Sequence, residues 1–189
     1  MNIDTATLRE AGWREGMEMD DEELYALKQA SDSRRAKEKA LYLLEHRSHT
    51  KKELVEKIQR TAGEKAAVEA AERMEELGLL NDEEYARRYA WELFHRKGYA
   101  AKRVAYELKQ KGISEEVAAE LIEELAPEPV EKLKELLGKK YGRVLGEEPG
   151  RRRAVNAMQR LGYPYEQIRK ALLEVIPEIQ DEDEEYNGI

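Results

Sequence analysis

Apolar residues recur at three- and four-residue steps along most of this chain, in stretches that close on glycine or proline. That spacing places them on one face of a 3.6-residue helix and predicts amphipathic helices rather than strands. Ala36, Ala40, Leu43 and Leu44 form one stripe, Leu54, Val55 and Ile58 a second, and Ala67, Ala70, Ala71, Met74 and Leu77 a third. Thr50 and Glu53 have the spacing of a capping box, and a glycine at 63 separates the second helix from the third. These three helices make one unit over residues 34–80. A second unit over 81–126 opens on Asn81 and Glu84 with a wide face of Tyr85, Ala86, Tyr89, Ala90, Leu93 and Phe94. Its next helix turns Ala101, Val104, Ala105 and Leu108 inward, and Ser114 caps a third bearing Val117, Ala118, Leu121, Ile122 and Leu125. Pro127 and Pro129 end that unit. A third unit over 130–177 carries Leu133, Leu136 and Leu137, then Ala154, Val155, Met158 and Leu161, then Ile168, Leu172, Leu173 and Ile176. Between its first two helices, 142–150 reads as a flexible link, with Arg151 opening the second helix and Pro164 the first residue of the last.

One corner recurs: Leu77-Gly78-Leu79-Leu80, Lys111-Gly112-Ile113 and Leu161-Gly162-Tyr163. Glycine fits the left-handed position that closes a helix, and the apolar residue after it packs back on the last turn. A repeated helix–glycine–helix corner is the signature of stacked helical units that share their cores with neighbours. Ahead of them, residues 1–17 show no period and read as a mobile lead-in. Asp20 with Glu23 opens a short helix through Leu24 and Leu27, and Ser31-Asp32-Ser33 offers caps for the next. Residues 1–33 are therefore an N-terminal extension, and the expected fold is all-α: an elongated tandem array of three three-helix repeats preceded by a short helix.

Charge changes this picture at the two ends. The chain of 189 residues has a formal charge of −8. Residues 1–32 contribute nine acids against three bases and 178–189 six acids against none, which leaves 33–177 with 30 bases and 26 acids, or +4. The run Asp181-Glu182-Asp183-Glu184-Glu185 reads as a solvated, disordered tail over 178–189. Without cysteine there is neither disulfide nor thiolate metal site. No apolar run has the ~20 residues of a membrane span and no apolar signal core opens the chain, so a cytoplasmic protein is expected.

The candidate chemistry is that of binding. Residues 85–112 hold eight bases and two acids. There Arg96, Lys97, Lys102, Arg103, Lys109 and Lys111 surround Tyr99 and Tyr106. Arginine pairs two-pronged with carboxylate or phosphate, and tyrosine adds contact area at low entropic cost. A solvated helix face is the plainer alternative, as it is for the second cluster, Arg151, Arg152 and Arg153. Trp91 lies off its helix stripe, as an inter-unit contact or an exposed anchor, and Trp13 is expected to dock on the first unit. His46 and His49 lack a third clustered ligand, and neither a phosphate loop, a dinucleotide fingerprint nor a triad is present. No catalytic residue, metal or cofactor is expected.

Three segments resemble the RecX-type regulators of the bacterial recombinase RecA. The first is Ala40-Leu41, Arg47 and Glu53-Leu54. The second runs from Leu77 through Gly78, Leu80, Asn81, Asp82, Tyr85, Ala86 and Gly98 to Arg103, Val104, Glu107-Leu108 and Lys111-Gly112-Ile113. The third comprises Arg152-Arg153, Met158, Arg160, Gly162-Tyr163 and Ile168. They fall in the family's order over residues 36–176. Ala100 stands where relatives carry a serine-type cap, so the helix after it is expected to fray at its start, and Leu161 replaces an arginine. The resemblance implies an all-helical, non-enzymatic modulator acting in DNA repair, recombination and the SOS response. It would act as a monomer, binding the recombinase filament on single-stranded DNA and lowering ATP hydrolysis and strand exchange. With that partner, the basic windows make Arg96, Lys97, Lys102, Arg103, Tyr106, Lys109, Lys111 and Arg151–Arg153 the candidates for recombinase or DNA contact, with at most weak direct DNA contact. A sequence-independent DNA-binding helical protein is the alternative.

Overall fold

The computed structural model describes residues 3–176, so the acidic segment 178–189 and Pro177 lie outside the described residues. Among the described residues the chain is all-helical. The elements are α1 (Thr5–Glu10), α2 (Asp21–His46), α3 (Lys51–Ala62), α4 (Glu64–Glu76), α5 (Asp82–Glu92) with a π-helical turn Leu93–Lys97, α6 (Ala101–Gln110), α7 (Glu115–Leu125), α8 (Pro129–Tyr141), α9 (Glu148–Arg160) and α10 (Tyr165–Val175). They divide into two compact units, one ending at Tyr85 and the other beginning at Ala86.

In the first unit α2, α3 and α4 pack on one another around Ala36, Ala40, Leu54, Ile58, Ala67, Ala70, Ala71, Met74 and Leu80. Five of these nine are alanines, whose small side chains let the helices approach closely. Thr50 caps α3 by accepting from the Glu53 N–H at 3.2 Å. Asp82 then accepts the Lys51 N–H at 2.8 Å, satisfying an orphan donor of the first turn of α3. Three expectations need correction here. Residues 1–17 contain the helix α1, whose capping Asp4 receives the Ser31 hydroxyl at 2.8 Å and gives its own N–H to that oxygen at 2.9 Å. Ser31 is therefore buried inside α2 rather than capping a new helix, and α2 runs unbroken through 31–33. The reciprocal capping box of Asp20 and Glu23 does exist, but it starts this long helix. Leu77, assigned to the α4 stripe, is half exposed because it sits at the C-cap.

In the second unit two cores form. One joins Ala86, Ala90, Leu93, Phe94, Val104, Leu108, Ile113, Ala118 and Leu121 across α5–α7. The other joins Leu133, Leu136, Leu137, Leu145, Ala154, Met158, Tyr163, Ile168 and Ala171 across α8–α10. The π turn turns both Leu93 and Phe94 inward, and Gly98 closes it in the left-handed conformation (φ 70°). Ala101 is exposed, so the inward face of α6 is narrower than its spacing predicts. Helix α9 begins at Glu148, not at Arg151, and 142–150 is no loose link. Leu145 is buried, and Gly150 lies so close to the Val144 carbonyl that a β-carbon would sit 1.8 Å from its oxygen. Pro164 is the cap of α10 rather than its first residue.

The three glycine corners are built as expected, with φ of 70°, 85° and 97° at Gly78, Gly112 and Gly162. In each, an N–H beyond the glycine returns to the carbonyl of Met74, Leu108 or Met158. The buried apolar residue is Ile113 or Tyr163 directly after glycine, but at the first corner it is Leu80, with Leu79 exposed.

Candidate partner-binding groove

Within the second unit, the start of α6 meets the corner between α9 and α10. Ala100 lacks a capping side chain, yet its N–H donates to the Leu161 carbonyl at 2.9 Å and the residue is buried. The expected fraying at this start is thereby corrected, because a backbone bond from the neighbouring repeat replaces the missing cap. Gly162 permits the approach: a β-carbon there would lie 2.9 Å from that of Arg103. Gly98 similarly faces Leu136, whose methyl groups would lie 3.0 Å from an added β-carbon.

This junction forms a groove of about 700 Å³. Its floor is apolar, with Phe94, Ala100, Pro127, Pro129 and Tyr163, and its rim holds Lys102, Arg103, Tyr106, Gln159 and Arg160. Gln159 and Arg160 also line an adjoining depression with Tyr141, Arg153 and Asn156, so the surface continues along α9. The Arg103 guanidinium lies 5.4 Å from the Tyr99 ring centre and 5.6 Å from that of Tyr106, in cation–π range. Glu107 receives its Nε and Nη2 at 3.0 and 2.8 Å, which holds the planar group in place. Lys102 and Arg160 make no ion pair among the described residues. Burial pushes the Tyr163 phenol up to about 12, so it stays neutral beneath these cations.

The predicted residues divide by position. Lys102, Arg103 and Tyr106 share the groove, and Arg153 joins its continuation although it is distant in sequence. Lys97 and Lys111 bracket the Tyr89 ring at 5.9 and 5.6 Å, with Arg96 exposed on the same π turn as Lys97. Lys109 instead reaches Glu115 at 2.5 Å, and the pair raises the lysine and lowers the carboxyl pKa. Arg152 is held by Glu148 at 2.7 Å, and Arg151 donates to the Gly146 carbonyl at 3.2 Å. Neither of these two lines the groove. Sequence spacing did not select Arg160, Gln159, Asn156 or Tyr141. Arg160 sits in the last turn of α9, where a basic residue has an ordinary dipole explanation, and only the packing of repeats brings it to Lys102. Trp91 is exposed and stacks on His95, with ring centres 4.7 Å apart.

Helix triplets joined by left-handed glycine corners define a tandem three-helix-repeat protein. A family model described as the second three-helix domain of RecX matches residues 81–122, the segment of α5–α7. A regulatory protein RecX of Chlorobium phaeobacteroides is 33% identical over 93 residues, 49% of this chain and 62% of the relative. One from Caldanaerobacter subterraneus is 29% identical over 121 residues, 64% and 61% of the two chains. The chain thus spans about three-fifths of the length of the curated relatives it matches. A crystal structure of regulatory protein RecX superposes with a TM-score of 0.65 at 20% identity, covering 89% of this chain and 86% of the other. RecX from Lactobacillus salivarius gives 0.63 at 23% identity, covering 77% and 97%. Residues 81–122 thus match a RecX domain, and the chain is similar to regulatory proteins RecX over about half to two-thirds of its length.

Proposed function

We propose that this protein regulates a RecA-type recombinase, binding its filament on single-stranded DNA and restraining ATP hydrolysis and strand exchange in repair and recombination. It does so as a cytoplasmic monomer and by occupancy rather than by chemistry of its own. The observation that carries the reading is the groove. The segments with the family resemblance supply Arg103, Arg153, Arg160 and the Gly162 corner around it, and these converge on one basic, tyrosine-rimmed surface. Arginine and tyrosine are the side chains that anchor protein interfaces, at about 2 kcal/mol or more each when central. Charge at the rim steers encounter and sets register more than it sets affinity.

Cations beside tyrosine rings are also what a single strand uses for phosphate and base contact, so direct DNA binding is the second reading. The two separate in one experiment: recombinase ATP hydrolysis on single-stranded DNA is titrated with this protein, beside its binding to the same DNA alone. Inhibition at concentrations too low to coat naked DNA is expected. Tight, steeply salt-dependent DNA binding with unchanged hydrolysis would favour the second reading.

A further inference from the structure

The groove pairs an apolar floor with Lys102 and Arg160, which make no ion pair among the described residues, and the chain itself carries a segment of the opposite character. Residues 178–189 hold six acids and no bases, with Ile179 before the acidic run and Tyr186 directly after it. We propose that in the isolated protein this segment occupies the groove, its carboxylates facing Lys102, Arg103 and Arg160 and Tyr186 reaching the apolar floor. It competes there with the partner, a consequence that rests on the function proposed above.

Reach permits the contact. Pro164 and Gln167, at the start of α10, line the groove, and α10 ends at Val175. A helix of 11 residues is about 16 Å long at ~1.5 Å per residue. Five residues of chain can span at most about 3.3 Å each, the same distance again, so the rim is within reach of the acidic run that starts at Asp181. Tethering sets the effective concentration on the order of millimolar, so an interaction too weak to hold a separate peptide still fills the groove. Arg103 keeps Glu107 as an internal carboxylate partner, whereas Lys102 and Arg160 do not have one among the described residues. These two cations therefore gain most from the segment.

The chain has no cysteine, so Asn187→Cys takes a single nitroxide label. In the full chain, paramagnetic broadening is expected at the amides of Arg103, Arg160 and Gln167, lost at high salt and lost in the Lys102→Glu/Arg160→Glu variant. Both replaced side chains are exposed, and undisturbed amide dispersion elsewhere confirms that the variant is folded. No broadening at these amides, or broadening indifferent to the double reversal, overturns the proposal. So does broadening that arises only between labelled and ¹⁵N-enriched copies, which would make the occupant a second molecule. A chain ending at Pro177 is expected to inhibit the recombinase at several-fold lower concentration than the full chain. Equal potency would overturn the competition. Docking in a protein that leaves hydrolysis untouched in both forms would sink the proposed function while the intramolecular contact stands.

Discussion

His49 shows how much one side chain's surroundings alter its chemistry. It is 3% exposed; its Nδ1–H donates to the Arg47 carbonyl at 2.9 Å, while Nε2 is buried with no hydrogen-bond partner. Burial pushes the imidazole below its usual 6.5, reinforced by the positive Arg47 and Lys57 and opposed by the Arg47 carbonyl and Glu53. The unfolded chain therefore takes up a proton near pH 6.5 that the folded chain resists. The stability this residue provides is present above that pH and lost as pH falls below it. Urea midpoints measured from pH 8 to 5 should fall below about pH 6.5, and fall less in His49→Gln. Two glycines give opposite expectations. Gly150→Ala puts a methyl against the Val144 oxygen and should cost about 3 kcal/mol or more. Gly138, exposed within α8 with open space at its β-position, should gain about 0.5–1 kcal/mol on replacement by alanine. Thermal denaturation of the two variants decides both. Composition alone treats these glycines alike; only their neighbours distinguish them.

At the scale of elements, α2 and α3 are anchored by side chains from other segments. Asp4 sits under Ser31, and hydrogen bonds from Thr7 and Ser31 draw its carboxyl down to about 2. Ser31→Ala should release α1, speeding amide exchange over residues 5–10 while leaving α3 and α4 protected, for a local loss of about 1 kcal/mol. Asp82 is a harder case. Burial raises its pKa, and the Lys51 N–H it accepts works against that. A raised carboxylate is disfavoured in the fold at neutral pH, so Asp82→Asn, which keeps an acceptor without the charge, should cost little. Asp82→Ala leaves the Lys51 N–H unmet and should lose about 1–3 kcal/mol in chemical denaturation. Periodicity located α3–α7 and α10 closely, because each buries one apolar stripe. It misjudged 1–33 and 142–150, where Ser31, Leu145 and Gly150 owe their burial to contacts distant in sequence or to a tight turn. Neither leaves a periodic trace.

For the whole molecule, the groove divides the basic window into residues that should matter and residues that should not. Lys102→Glu/Arg103→Glu should weaken inhibition of recombinase ATP hydrolysis by tenfold or more. Lys109→Glu, already turned toward Glu115, should change it less than twofold. Equal effects would mean that net charge rather than the groove governs binding. The sequence by itself determined that the chain is helical, that its helices come in threes, and that left-handed glycines close the corners. Those are properties of local spacing and backbone sterics, which need no distant partner. It also marked the basic window. Which of those cations share a surface was decided by tertiary structure alone. The Ala100 N–H to Leu161 carbonyl bond and the close approach at Gly162 carry α6 onto the α9–α10 corner. Residues nearly sixty apart in sequence, Lys102 and Arg160, thereby line one groove. A repeat encodes its own helices locally, but the surface between repeats exists only where two of them touch.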